Sequence, residues 1–339
     1  MKFLIAGFGS IGRRHFRNLL SLGERDIVLY RTHHSTLDEN ELAGFPVETD
    51  LRAALAYGPE AVIIANPTAL HLDVAIPAAH CGCHLLIEKP ISHSRARLDE
   101  LQQVVEQNGT QVLVGFQFRF HPGLSQVKKL LQHRAIGDPY SVRAHWGEYL
   151  PSWHPWEDYK QGYAARPELG GGVLLTLSHP FDYLRWLFGD VDTVAAVTTC
   201  DGLNMPVEDL AEVLLRFKSG LMGSVHLDYL QRPTAHWLEI IGSQGTMRWD
   251  NSDGRVSLAQ AGKNGAISAW QDYPPPEGFE RNSMFLDELR HFIDLVRGKA
   301  KPACTLNDGV MALDIALAAL ASAQQGQVIH PSEMKKNKA

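Results

Sequence analysis

Cysteine is scarce: Cys81, Cys83, Cys200 and Cys304 are the whole complement of 339 residues. They form no paired Cys-x-x-Cys motif, so neither a disulfide framework nor a zinc knuckle organises the chain; reduced thiols and no metal are expected. Positive charge is also short. A formal charge of −6, with no long basic run, argues against nucleic acid or an anionic membrane as partner. No uninterrupted apolar run approaches the ~18 residues of a membrane span. Met1 leads directly into an apolar strand at residues 2–6, which leaves no room for a signal peptide, and a cytoplasmic protein is the expectation. What remains is an ordinary globular composition, 45% hydrophobic and 21% charged, long enough for two domains with their own cores.

Along residues 1–120 short apolar runs alternate with segments of helical period. Strands are expected at 2–6, 26–30, 61–65, 84–87 and 111–115, with helices near 11–22, 51–56, 71–81 and 94–108. Such alternation predicts an α/β domain with a doubly wound parallel sheet of the Rossmann kind. Beyond residue 120 the rhythm changes. Helices are expected near 123–132 and 174–188, and strands at 140–146, 191–200, 211–217, 221–229, 236–241 and 245–249. Helices near 283–297 and 307–324 follow Pro274-Pro275-Pro276. Residues 121–330 therefore read as an α+β domain with a large open, mostly antiparallel sheet, and residues 331–339 as a flexible tail.

Gly7-Phe8-Gly9-Ser10-Ile11-Gly12 follows the first strand and opens the first helix. In that context Gly7 makes the turn, Gly9 lets a pyrophosphate approach, and Gly12 packs helix on strand, with Ser10 and Ile11 contributing helix-start amides. A dinucleotide is the implied cofactor. An NAD site carries an acid about 20 residues further on to bond the ribose hydroxyls. Here the second strand runs into Tyr30-Arg31-Thr32-His33-His34-Ser35, with no acid. Arg31 suits a 2′-phosphate, with Thr32 and Ser35 as hydroxyl donors, so NADP(H) is preferred and NAD(H) remains possible; the alternative is an exposed polar turn. Asn66, Thr68 and His71 lie beyond the third strand on the same sheet edge and are candidates for the nicotinamide-ribose side.

The strand at 84–87 ends in Glu88-Lys89-Pro90. Pro90 withholds a backbone donor, and parallel sheets bind ligands outside the carboxyl ends of their strands. Lys89 is thus aimed at whatever binds there, where an amine can hydrogen-bond a hydroxyl and stabilise the alkoxide it becomes. A solvated turn lysine is the plainer reading.

In order, the glycine loop, Ala65-Asn66-Pro67-Thr68-x-x-His71, Glu88-Lys89-Pro90, Arg119-Phe120-His121-Pro122, Gly170-Gly171-Gly172 and Ser178-His179-Pro180-Phe181-Asp182 resemble the glucose–fructose oxidoreductase/inositol dehydrogenase/MocA oxidoreductases. Ile241-Gly242-Ser243-Gln244-Gly245-Thr246 adds the family's sheet turn, so the likeness covers nearly the whole chain. The resemblance implies NAD(P)-dependent oxidation or reduction of a sugar, cyclitol or nucleotide-sugar, and a homodimer or homotetramer formed through the C-terminal sheet. It puts the family's lysine on Lys89 and its histidine on His179, with Glu88 orienting Lys89 or touching cofactor. Histidine, with an unperturbed pKa of about 6.5, suits the removal of a hydroxyl proton. One departure stands out. Where many members carry an aspartate one turn before the histidine, Thr176 stands here, and Asp182 is the nearest substitute.

Residues 145–163 concentrate three of the seven tryptophans, a composition suited to the apolar face of a sugar or to a packed lid. Trp153, His154, Arg119, Arg166 and Asp182 are the substrate-side candidates. The opposed reading is a non-catalytic dinucleotide-sensing protein that binds a partner through its sheet.

Overall fold

The computed structural model describes residues 1–32, 40–262 and 266–335. The chain divides into two units, one of residues 1–117 with 281–310, the other of residues 118–280 with those from Met311 onward.

The first unit begins with β1 (Phe3–Ala6), α1 (Ser10–Ser21), β2 (Ile27–Tyr30), β3 (Val47–Glu48), α2 (Leu51–Ala56) and β4 (Ala61–Ile64). It continues with α3 (His71–His80), β5 (His84–Glu88), α4 (Leu98–Asn108) and β6 (Val112–Gly115). Every pairing is parallel, in the order β3-β2-β1-β4-β5-β6. The reversal of order falls between β1 and β4, which fixes where a ligand crevice opens. All residues of β1, β4 and β6 are buried, as strands covered on both faces must be.

In the second unit, α5 (Pro122–Gln132) precedes β7 (Pro139–Gly147), α6 (Val173–Thr176) and α7 (His179–Phe188). Seven further strands follow: β8 (Val191–Thr199), β9 (Leu210–Phe217), β10 (Met222–Asp228), β11 (Ala235–Gly242), β12 (Gly245–Asp250), β13 (Val256–Gln260) and β14 (Gln271–Tyr273). Together with β7 they make a sheet in the order β14-β13-β12-β11-β7-β10-β9-β8, antiparallel except for the β10–β7 pair. Alternation along β9 is complete: Ala211, Val213, Leu215 and Phe217 are buried while Glu212, Leu214 and Arg216 face outward.

α8 (Arg281–Val296) belongs to the first unit and packs on α1. α9 (Leu306–Gln325) is long and apolar enough to cross a membrane by length and composition, yet Ala312, Leu313, Ile315 and Ala316 are core residues of the second unit. Where the sequence suggests a flexible tail, Pro331–Lys335 forms a 3₁₀ turn with Pro331 and Met334 buried. None of the four cysteines is in a disulfide among the described residues.

Candidate active site

The glycine loop carries distinct steric demands at each position. Gly7 has φ +92°, and a Cβ there would sit 2.6 Å from the Asn66 amide nitrogen; a Cβ on Gly12 would lie 2.0 Å from the Gly7 carbonyl oxygen. Gly9 differs, because a Cβ would meet nothing within 4 Å. Two glycines are thus demanded by the protein's own packing, whereas the second leaves open space. That is the requirement of a phosphate-binding turn. Gly9 is also the N-cap of α1 and offers no side-chain cap, so the amides of Ser10 and Ile11 remain available to an anion. These residues fit a dinucleotide.

Arg31, at the end of β2, is buried, with its guanidinium 5.9 Å from the centre of the Phe8 ring. Arg13 approaches the same ring at 4.8 Å and pairs with Glu41. Thr32 is exposed, and Ser35 lies outside the described residues. On the neighbouring turn, the Asn66 side chain donates to the Leu70 carbonyl at 3.1 Å. Nε2 of His71 lies 3.0 Å from the Asn66 carbonyl; the ring is buried, and burial lowers its pKa. His71 therefore braces the turn as a neutral ring. Thr68 is buried beside it.

Lys89 follows β5 and is half-buried. Its amide donates to Oε2 of Glu88 at 3.3 Å, while Oε1 of Glu88 meets Nε2 of His15 at 2.7 Å. Glu88 therefore holds the turn that carries Lys89. Neither His15 nor Glu288, which lies close to both, is among the expected site residues.

In the second unit, His179 opens α7 and is buried among rings: 4.9 Å from Phe118, edge-on, and 5.4 Å from Trp146, stacked. Trp146 in turn stacks on His236 at 4.3 Å. Thr176 ends α6 and is buried beside Tyr229, itself fully buried. Glu208 takes a place at the start of α6 that sequence reading does not foresee. Its Oε1 accepts from the Leu174 amide at 3.1 Å, and burial raises its pKa to about 7. Gly172 makes the room, since a Cβ there would lie 2.4 Å from that oxygen.

Among the substrate-side candidates the structure joins Arg119 and Asp182. They form a buried pair, with Arg119 donating through Nη2 to Oδ1 at 2.6 Å and through Nε to Oδ2 at 3.0 Å. Asp182, the expected helper of His179, has its charge engaged by Arg119. Arg166 pairs instead with exposed Glu168 at 2.6 Å. The aromatic run is divided. Strand alternation sends Trp146 into the core and His145 outward onto Trp237 at 5.2 Å. Trp153 rests edge-on against Tyr229 at 5.7 Å, and His154 against Trp156 at 5.4 Å.

Comparison with known proteins agrees with this architecture. Residues 1–116 match the profile described as "Oxidoreductase family, NAD-binding Rossmann fold", and residues 128–330 match "Oxidoreductase family, C-terminal alpha/beta domain". The chain is 27% identical to the myo-inositol 2-dehydrogenase of Thermotoga maritima over 355 residues, covering 98% of this chain and 99% of that one. Among solved structures, levoglucosan dehydrogenase in complex with NADH superposes with a TM-score of 0.86 at 20% identity, covering 97% and 98% of the two chains. The WlbA dehydrogenase of Bordetella pertussis, in complex with NADH and UDP-GlcNAcA, does so at 0.80 and 25% identity, with the same coverage. With both of its profiles matched in order along most of its length, the chain belongs to the glucose–fructose oxidoreductase/inositol dehydrogenase/MocA oxidoreductase family.

Proposed function

We propose that the protein is a dehydrogenase or reductase that interconverts a hydroxyl and a keto carbon on a sugar, cyclitol or nucleotide-sugar, with Lys89 and His179 as its polar catalytic pair. The observation that carries this reading is the place of Lys89, after β5 and one strand beyond the β1/β4 reversal, on the sheet edge where the glycine loop opens at Gly9. The relatives supply the substrate class, since they are named for an inositol or levoglucosan or bind UDP-GlcNAcA, and the two solved ones hold NADH.

The nicotinamide, when bound, takes or returns the hydride. Gly7, Gly9, Gly12 and the amides of Ser10 and Ile11 would hold the pyrophosphate. Arg31, Thr32 and Ser35 would face the adenosine ribose and favour NADP(H), with NAD(H) also accepted. Asn66, Thr68, His71 and Glu88 would shape the nicotinamide end. Lys89 donates to the reacting oxygen and stabilises the negative charge that grows there, while His179 removes or returns the hydroxyl proton. The setting belonging to this reading is the cytoplasm, with a homodimer or homotetramer built through the outer face of the second unit's sheet.

Lys89→Met tests the reading directly. Turnover of a substrate found in a panel of sugars, cyclitols and nucleotide-sugars should fall about 10²- to 10⁴-fold, with cofactor affinity kept within a few-fold. Unchanged turnover would remove Lys89 from the chemistry, and a panel with no substrate at all would favour a dinucleotide-sensing protein.

A further inference from the structure

One buried group of the first unit has no part in that chemistry. Glu288 lies on the face of α8 that carries Met284, Phe285, Leu289 and Phe292, and it is fully buried. Neither of its side-chain oxygens has a hydrogen-bond partner among the described residues. Its surroundings are nonetheless polar on one side. One side-chain atom each from Glu288, Glu88 and His15 lies within 4.8 Å of the others, and His15 is itself bonded to Glu88 at 2.7 Å. The fit around Glu88 is close, for a Cβ on Gly115 of β6 would stand 3.3 Å from Oε2.

Two ionised carboxylates cannot share such a place at low cost. A divalent cation is one remedy, since a histidine and two carboxylates are plausible ligands. The distance argues against it: ligands about 2.1 Å from one tetrahedral ion stand more than about 3 Å apart, whereas His15 and Glu88 are at hydrogen-bond distance. The other remedy is a proton. Burial, and after it the charge of Glu88, push Glu288 well above the ordinary carboxylate range. Among the described residues, charged or titratable groups on two neighbouring helices feel Glu88. α1 supplies Arg14, whose guanidinium lies 4.5 Å from the Phe285 ring centre and which feels both Arg281 and Glu88; α3 supplies His71, which also feels Glu88.

We propose that Glu288 is a positioning residue, a carboxylic acid that keeps its proton beside the Glu88–His15 pair, so that the trio presents one negative charge behind Lys89 and steadies the turn that aims its amine. The proposal rests on the reading of Lys89 given above, and its test separates the two. Infrared difference spectra of the full-length protein against Glu288→Gln should lose one carbonyl band of a protonated carboxyl; its absence from the wild type would overturn the proposal. Acetylation of Lys89 by acetic anhydride, followed by peptide mass spectrometry from about pH 6 to 9, reads the amine itself. Glu288→Gln, neutral and polar like the protonated acid, should stay within about 3-fold of wild type, whereas Glu288→Leu, equally neutral but without a polar group to face Glu88, should change the reactivity about tenfold through the loosened turn. Equal behaviour of Leu and Gln would reduce Glu288 to packing, and a stoichiometric metal lost with Glu288→Gln would replace the proton by an ion. Neither readout needs turnover. A carbonyl band that persists in a Lys89→Met protein with full turnover would therefore sink the role of Lys89 and leave the proton on Glu288.

Discussion

Arg31 directly follows β2 and lies over the Phe8 ring. A guanidinium gains most from a phosphate, which it meets through two parallel hydrogen bonds, and less from a ribose hydroxyl. Arg31→Ala should therefore weaken NADPH about tenfold or more and NADH by under about 3-fold, read by fluorescence titration. An equal loss for both would undo the NADP(H) preference. The places of such residues are legible in sequence because they are set locally. The glycine loop and Lys89 follow from their position at the ends of strands a few residues long. His15 and Glu288 are different: their roles come from meeting across the fold. The only signal was an acid at apolar spacing, four residues after Met284 and four before Phe292, where a helix face ought to be uniformly hydrophobic.

At the level of elements, the segment expected as one helix over 174–188 is two. Pro180 has no N–H to return to the Thr176 carbonyl, so α6 stops and α7 begins afresh at His179. β3 and β14, with two and three residues, are too short for any period to show. The start of α7 is held by the Arg119–Asp182 pair, and a pair this deeply buried is costly to break on one side. Asp182→Asn, which leaves Arg119 charged and buried, should destabilise the protein by about 3–5 kcal/mol in denaturant unfolding. Full stability combined with a loss of substrate affinity would return both residues to the substrate site.

For the whole molecule, the change from alternating strand and helix to consecutive strands announces two different sheets, and both are present. Whether one face of the second sheet meets another copy depends on its outward residues. Val197, Leu214 and Met222, 72%, 63% and 64% exposed, occupy adjoining strands among charged neighbours such as Glu212 and Arg216. Leu214→Glu with Met222→Glu should yield a smaller species by light scattering with unchanged circular dichroism; an unchanged mass would place any assembly elsewhere.

The return of residues 281–310 to the first unit has a consequence for synthesis. A ribosome delivers all six strands of the nucleotide-binding sheet early, but α8 comes only after the last strand of the other sheet. Until then His15 and Glu88 wait without their third member, and the surface of α1 that α8 will cover is open to water. The turn bearing Lys89 thus acquires its backing last, so a nascent chain can hold its glycine loop well before it can present a finished lysine.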